Sequence, residues 1–123
     1  MDATDLTGRV IGAAIEVHRE LGPGLLESVY AKCLFHELTE RDIECLVELP
    51  LPLDYKGLPI DCGYRIDLVV EQELIVELKS VDALQAVHHA QLLTYMKLSN
   101  IPTGLLINFN TPLLKDGIKR FRL

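Results

Sequence analysis

Three residues on two neighbouring apolar runs have the types and spacing for chemistry: Asp67 in Arg65-Ile66-Asp67, and Glu77 and Lys79 in Glu77-Leu78-Lys79. The polar link Glu71-Gln72-Glu73 between the runs is short enough for a hairpin. A three-residue loop there pairs Val70 with Leu74 and Val69 with Ile75, and so sets Asp67 across from Glu77. Opposed residues in a sheet have β-carbons about 5 Å apart, where like charges repel. Arg65 and Lys79 can join the acids in a surface salt-bridge ladder. Alternatively, a divalent cation can neutralise them, because two carboxylates, a backbone carbonyl and waters form a hard oxygen set for Mg²⁺ or Mn²⁺. A register slip of one residue turns the acids to opposite faces, so spacing alone leaves these readings open.

Two further polar residues sit on otherwise apolar helical faces. A helix over ~25–41 carries Tyr30, Ala31, Leu34 and Leu38 inward, and Glu27 precedes them by three, four, seven and eleven residues. A carboxylate there either rests on the helix dipole and reaches solvent, or aims into a cleft. A helix over ~83–98 aligns Leu84, Val87, Gln91, Tyr95 and Leu98, and Gln91 is the polar member of that stripe.

The elements that must position these groups follow from periodicity. Leu6, Val10, Ala13, Ala14, Val17 and Leu21 form the stripe of a helix over ~5–21, with Asp5 or Thr4 as N-cap and Gly22-Pro23-Gly24 as terminator. Residues 44–49 and 51–55 are β-type, and Pro50 and Pro52 make them an edge or bulged strand before the turn Lys56-Gly57. The strand over ~62–70 places Cys62, Tyr64, Ile66, Leu68 and Val70 on one face, with Gly63, Arg65, Asp67 and Val69 on the other. Further strands fall at ~73–79, at 103–109, which is buried, and at 117–123, which has the alternation of a sheet edge. The result is one α/β domain over residues 1–123, a mixed sheet flanked by helices in the order ααβββαββ.

Composition narrows the functional classes. The chain has 123 residues, 49% of them hydrophobic, and no run nears the ~18 apolar residues of a membrane span. Its acidic N-terminus lacks the pattern of a signal peptide, so a cytoplasmic protein with no membrane partner is expected. Cys33, Cys45 and Cys62 are spaced as free buried thiols, and the adjacent pair His88-His89 points two ways on a helix and cannot chelate one ion. A net charge of −6 opposes simple duplex binding, although Lys115, Lys119, Arg120 and Arg122 crowd the end of the chain.

Together these residues carry a family likeness. Gly24-Leu25-Leu26-Glu27-Ser28-Val29-Tyr30 reads G-x-x-E-x-x-Y. Joined to Arg65-Ile66-Asp67, Glu77-Leu78-Lys79 and Gln91-x-x-x-Tyr95, it makes the chain resemble the small bacterial proteins named for that motif, within the PD-(D/E)XK nuclease-like superfamily. The likeness runs from about Thr7 to Arg122, with Ile66-Asp67 where the superfamily name has Pro-Asp. It implies a restriction-endonuclease-like core around a divalent metal, Mg²⁺ or Mn²⁺. Carried over, Glu27 is the helical acid, Asp67 and Glu77 are the strand ligands, and Lys79 is the catalytic lysine. The Leu78 carbonyl completes the protein ligands, and Gln91 and Tyr95 lie beside metal or substrate.

The function these expectations describe is metal-dependent hydrolysis of phosphodiester bonds in nucleic acid, DNA ahead of RNA. Two other classes remain: a non-catalytic interaction module that keeps the fold, and a phosphohydrolase of small molecules, which the acidic charge suits better. The oligomeric state is open, with a homodimer among the options.

Overall fold

The structure, a computed structural model, describes residues 3–61 and 63–123, so the strand position expected for Cys62 lies outside the described residues. Helix α1 spans Ala3–Leu21 and α2 spans Glu27–Glu40. Strand β1 is Cys45–Pro50, β2 is Leu53–Tyr55, β3 is Leu58–Ile60, β4 is Arg65–Val70 and β5 is Leu74–Lys79. Helix α3 (Ala86–Ser99), strand β6 (Thr103–Asn108), a 3-10 turn (Leu114–Gly117) and strand β7 (Ile118–Arg122) complete the chain. Five strands form a mixed sheet in the order β1-β4-β5-β6-β7, in which only β5 and β6 run parallel.

The expected order ααβββαββ describes this core, with one addition. The segment 53–60 folds into its own hairpin, β2–β3, around Lys56 (φ 50°) and Gly57 (φ 89°). Pro50 closes β1 at the sheet edge, where a missing N–H is tolerated.

Two cores sandwich the sheet. Leu6, Val10, Ala13, Ala14 and Val17 of α1, with Tyr30, Leu34 and Leu38 of α2, pack on Leu74, Val76 and Leu78 of β5. Leu92, Tyr95 and Met96 of α3 pack on the opposite face with Ile75 and Leu106. The α1 stripe is as expected except at its ends. The helix starts at Ala3, so Asp5 lies in its first turn rather than capping it, and Leu21 is 38% exposed where the chain turns out through Gly22.

Helix α3 departs further from its expected stripe. Val87 is 66% exposed and Leu98 41%, whereas Leu92 and Met96 are fully buried. Apolar residues are spread around the helix, so periodicity does not select a face. Contact does: a Cβ on Gly104 would lie 2.7 Å from Met96 Sδ and 3.1 Å from Leu92, so the bare backbone of β6 is what Leu92 and Met96 seat against. The histidines diverge as expected, since His88 Nδ1 accepts the Gln85 N–H at 3.0 Å while the His89 ring packs against Phe121.

Candidate active site

The site is assembled at the end of β5. Gly22 (φ 71°) and Gly24 (φ 95°) turn the chain between the first two helices, and Tyr30 holds that turn from below. The Tyr30 hydroxyl donates to the Gly22 carbonyl at 2.6 Å and accepts the Leu25 N–H at 3.1 Å, while its buried ring stacks on Phe109 with centroids 4.3 Å apart. The glycine, glutamate and tyrosine of the G-x-x-E-x-x-Y pattern are therefore one device: a left-handed turn, an acid at the first helical position and a clamp one turn deeper. The acid it presents, Glu27, is exposed, and its Oε1 accepts the Ser80 N–H at 3.2 Å. Ser80 Oγ donates back to the Leu25 carbonyl at 2.7 Å. The start of α2 is thus stitched to the residue that follows Lys79.

Asp67 and Glu77 meet as the hairpin geometry requires. The pairs Val70 with Leu74 and Val69 with Ile75 are formed, through a turn in which Glu71 and Gln72 both have positive φ. Regular pairing ends at Leu68 and Val76, one step before the acids. There, Glu77 Oε1 accepts the Asp67 N–H at 3.3 Å, and Asp67 Oδ2 accepts the Leu78 N–H at 2.8 Å. Two backbone donors end on carboxylates instead of ladder carbonyls.

The break extends to the other side of β4. Pairing with β1 skips Glu48 opposite Asp67, and Glu48 has a φ of 53°, a costly conformation for a residue with a Cβ. Side-chain alternation shifts there. Leu68 and Val70 join the core under α1 and α2, but Ile66 joins Val69 in the core under α3. The simple two-face division expected for this strand is therefore corrected at Asp67, because side-chain bonding replaces the ladder at that point.

Electrostatics follow from this placement. Glu77 is only 4% exposed and faces α3. Burial, reinforced by the charge of Asp67, pushes its carboxyl up to about 9, so the metal-free pair carries a proton at neutral pH. No ion pair among the described residues joins Arg65, Asp67, Glu77 or Lys79, so the salt-bridge ladder is not formed. Lys79 instead approaches Gln91 Oε1 at 3.5 Å, and Gln91 Nε2 donates to the Tyr95 hydroxyl at 3.1 Å. Burial, then the charge of Glu77, raises the Tyr95 phenol above its ordinary value.

The expected side chains lie around one strand end, in two groups with Glu27 apart from both. Asp67 and Glu77 are directly cross-linked, with Leu78 held to Asp67 through its N–H. Lys79, Gln91 and Tyr95 form a polar chain beside them, while Glu27 stands further along at Ser80. Among the described residues no three His, Cys, Asp or Glu side chains are grouped to hold a metal ion. The donor chemistry of the Asp67–Glu77 pair nevertheless fits a hard divalent cation. Both groups offer carboxylate oxygens, and a cation would offset the burial and the neighbouring Asp67 charge that together raise the Glu77 carboxyl.

Three contributors have no strong mark in the sequence. Tyr64 leans on Tyr95 with centroids 6.1 Å apart. Ser80 ties the strand end to α2. Asn108, a polar residue closing an apolar strand, accepts the Val81 N–H at 3.1 Å and donates to the Val81 carbonyl at 2.9 Å. That last polarity is the one signal that could have drawn attention to it.

A mixed sheet flanked by helices, with an acid pair and a lysine at the end of its central strand, defines a restriction-endonuclease-like fold. Residues 4–121 match a family of the PD-(D/E)XK nuclease superfamily, and the chain belongs to it. No curated protein and no solved structure matches the chain. No helix among the described residues is long and apolar enough to cross a membrane.

Proposed function

We propose that this protein is a metal-dependent nuclease that hydrolyses phosphodiester bonds, with DNA as the preferred nucleic acid. The observation that carries this reading is the reciprocal Asp67–Glu77 cross-link. It holds two carboxylates together at a break in the sheet, with the half-buried Lys79 two residues beyond Glu77. A fold needing only stability gains nothing from a buried acid kept protonated by burial and a neighbouring charge.

In this reading Asp67, Glu77 and the Leu78 carbonyl would hold Mg²⁺ or Mn²⁺, and Glu27 would reach the ion through water. A bound ion would neutralise phosphoryl oxygens and lower the pKa of water. The chain supplies the rest. Lys79 orients the attacking water or takes its proton and balances the growing negative charge. Gln91 keeps the Lys79 ammonium aimed and offers an amide to a phosphate oxygen, and Tyr95 anchors Gln91. The exposed cations Lys119, Arg120 and Arg122 on edge strand β7 contribute phosphate contacts within an otherwise acidic chain.

Cleavage assays on single- and double-stranded DNA and RNA with Mg²⁺ or Mn²⁺ test the reading. Product formation is expected to stop in EDTA and to fall about 100-fold or more in Lys79→Ala. Cleavage that survives both controls, or no cleavage of any substrate, overturns it.

A further inference from the structure

We infer that the groove between α2 and β1 is a subsite for one unpaired nucleobase bearing an exocyclic amino group, and that the substrate therefore enters as a single strand. This rests on the nuclease reading for its biological setting but on separate residues for its chemistry. The groove encloses about 180 Å³, too small for a drug-sized ligand and suited to a single flat ring. Ala31 and Phe35 of α2 face Val47 of β1 across it, and its polar positions are Ser28, Lys32, Glu48 and Asp67.

Three observations choose this occupant. First, Asp67 belongs both to the groove and to the acid pair, so whatever fills the groove is continuous with the proposed reaction centre. Second, Phe35 is 39% exposed and Val47 44%, an apolar surface left uncovered beside a charged site. An aromatic face with apolar walls takes a base by stacking, which every base allows. Third, the left-handed backbone at Glu48 lies directly opposite Asp67, and the unpaired rung between them opens onto the groove. Glu48 has no part in the catalytic reading. A carboxylate at a base edge accepts from an amino group and repels a carbonyl, so cytosine or adenine is favoured over thymine.

Uncharged nucleosides separate this proposal from catalysis. Titrating the wild-type protein in EDTA with deoxycytidine, and separately with thymidine, is expected to shift the amide NMR signals of Ala31, Phe35 and Val47. Binding of deoxycytidine should be roughly fivefold tighter than that of thymidine, the scale of one net hydrogen bond. Phe35→Ala should abolish both shifts, and Glu48→Gln should equalise the two nucleosides while leaving the fold intact. Phe35→Leu, which keeps an apolar side chain, controls for lost packing and should still lose the stacking contribution. Shifts scattered away from the groove, or equal binding of the two nucleosides, overturn the subsite. Cleavage without nucleoside selectivity removes the subsite and spares the nuclease reading. Selectivity without cleavage of any nucleic acid does the reverse.

Discussion

Asp67 and Glu77 each bond the other's strand: Glu77 Oε1 accepts the Asp67 N–H, and Asp67 Oδ2 accepts the N–H of Leu78. The two carboxylates are thereby held as neighbours by the backbone itself, and repulsion between them is built into the fold. Removing one charge while keeping the acceptor should stabilise the protein. Asp67→Asn preserves an oxygen for Leu78 and is expected to raise the melting temperature without metal by roughly 3 °C above about pH 9, where Glu77 is ionised too and the two charges face each other, the scale of under 1 kcal/mol. The same variant should lose any Mn²⁺-dependent stabilisation. Unchanged melting, together with an intact Mn²⁺ shift, would separate Asp67 from both roles.

Glu77 gives the protein a pH dependence of definite sign. The unfolded chain releases the Glu77 proton near 4.5, whereas the folded, metal-free protein keeps it up to about 9. Between those values the native state binds the extra proton, so stability falls as pH rises. The contribution is fully present below the lower value and lost above the upper one. Melting curves from about pH 5 to about pH 9 in EDTA should show the wild type declining relative to Glu77→Gln, which has no proton to release. A flat difference between the two proteins would contradict the buried, protonated carboxyl. Added Mn²⁺ should stabilise the wild type more at the alkaline end, because the ion competes with that proton.

How much of this was legible in the sequence differs from residue to residue. The meeting of Asp67 and Glu77 follows from a three-residue loop and strict alternation from Val70 and Leu74, which are local rules. The shift of Ile66 into the core under α3 does not, because it arises where two side chains displace the ladder. Glu27 is marked by its spacing from Tyr30, yet its partner Ser80 lies 53 residues away and depends on how α2 docks. The buried face of α3 was hidden for a different reason: Val87 and Leu98 are as apolar as Leu92 and Met96, and only the bare Gly104 backbone decides between the two stripes.

Gly117 tests the packing at the end of β6, beside Lys79 of β5. A Cβ there would sit 2.3 Å from the Asn108 carbonyl oxygen and 3.0 Å from the Thr111 methyl. Backbone cannot swing aside as a side-chain tip can, so Gly117→Ala must shift β6 or the turn after it. A loss of about 2 kcal/mol or more is expected in urea denaturation, in the range of overpacked cores. Gly104→Ala meets only the flexible ends of Met96 and Leu92 and should lose less. Equal losses would place the rigid contact elsewhere.

Tyr30 links a structural clamp to the candidate chemistry, which makes its hydroxyl a useful single-atom probe. Tyr30→Phe keeps the stacked ring on Phe109 but leaves the Gly22 carbonyl without its donor and the Leu25 N–H without its acceptor. Both groups border the surface, so water recovers part of the loss, and a destabilisation of about 1–2 kcal/mol is expected by thermal melting. The functional consequence should be separable from that loss. With the clamp gone, the turn that presents Glu27 to the Ser80 N–H relaxes, and the bond from Ser80 Oγ to Leu25 weakens with it. Amide hydrogen exchange at Ser80 should therefore accelerate at temperatures where the rest of the sheet stays protected. Glu27→Gln, which retains an acceptor at the same place, should leave that exchange nearly unchanged while removing the charge. If Tyr30→Phe leaves Ser80 protected, the tyrosine only packs, and the first turn of α2 is positioned by something other than the clamp.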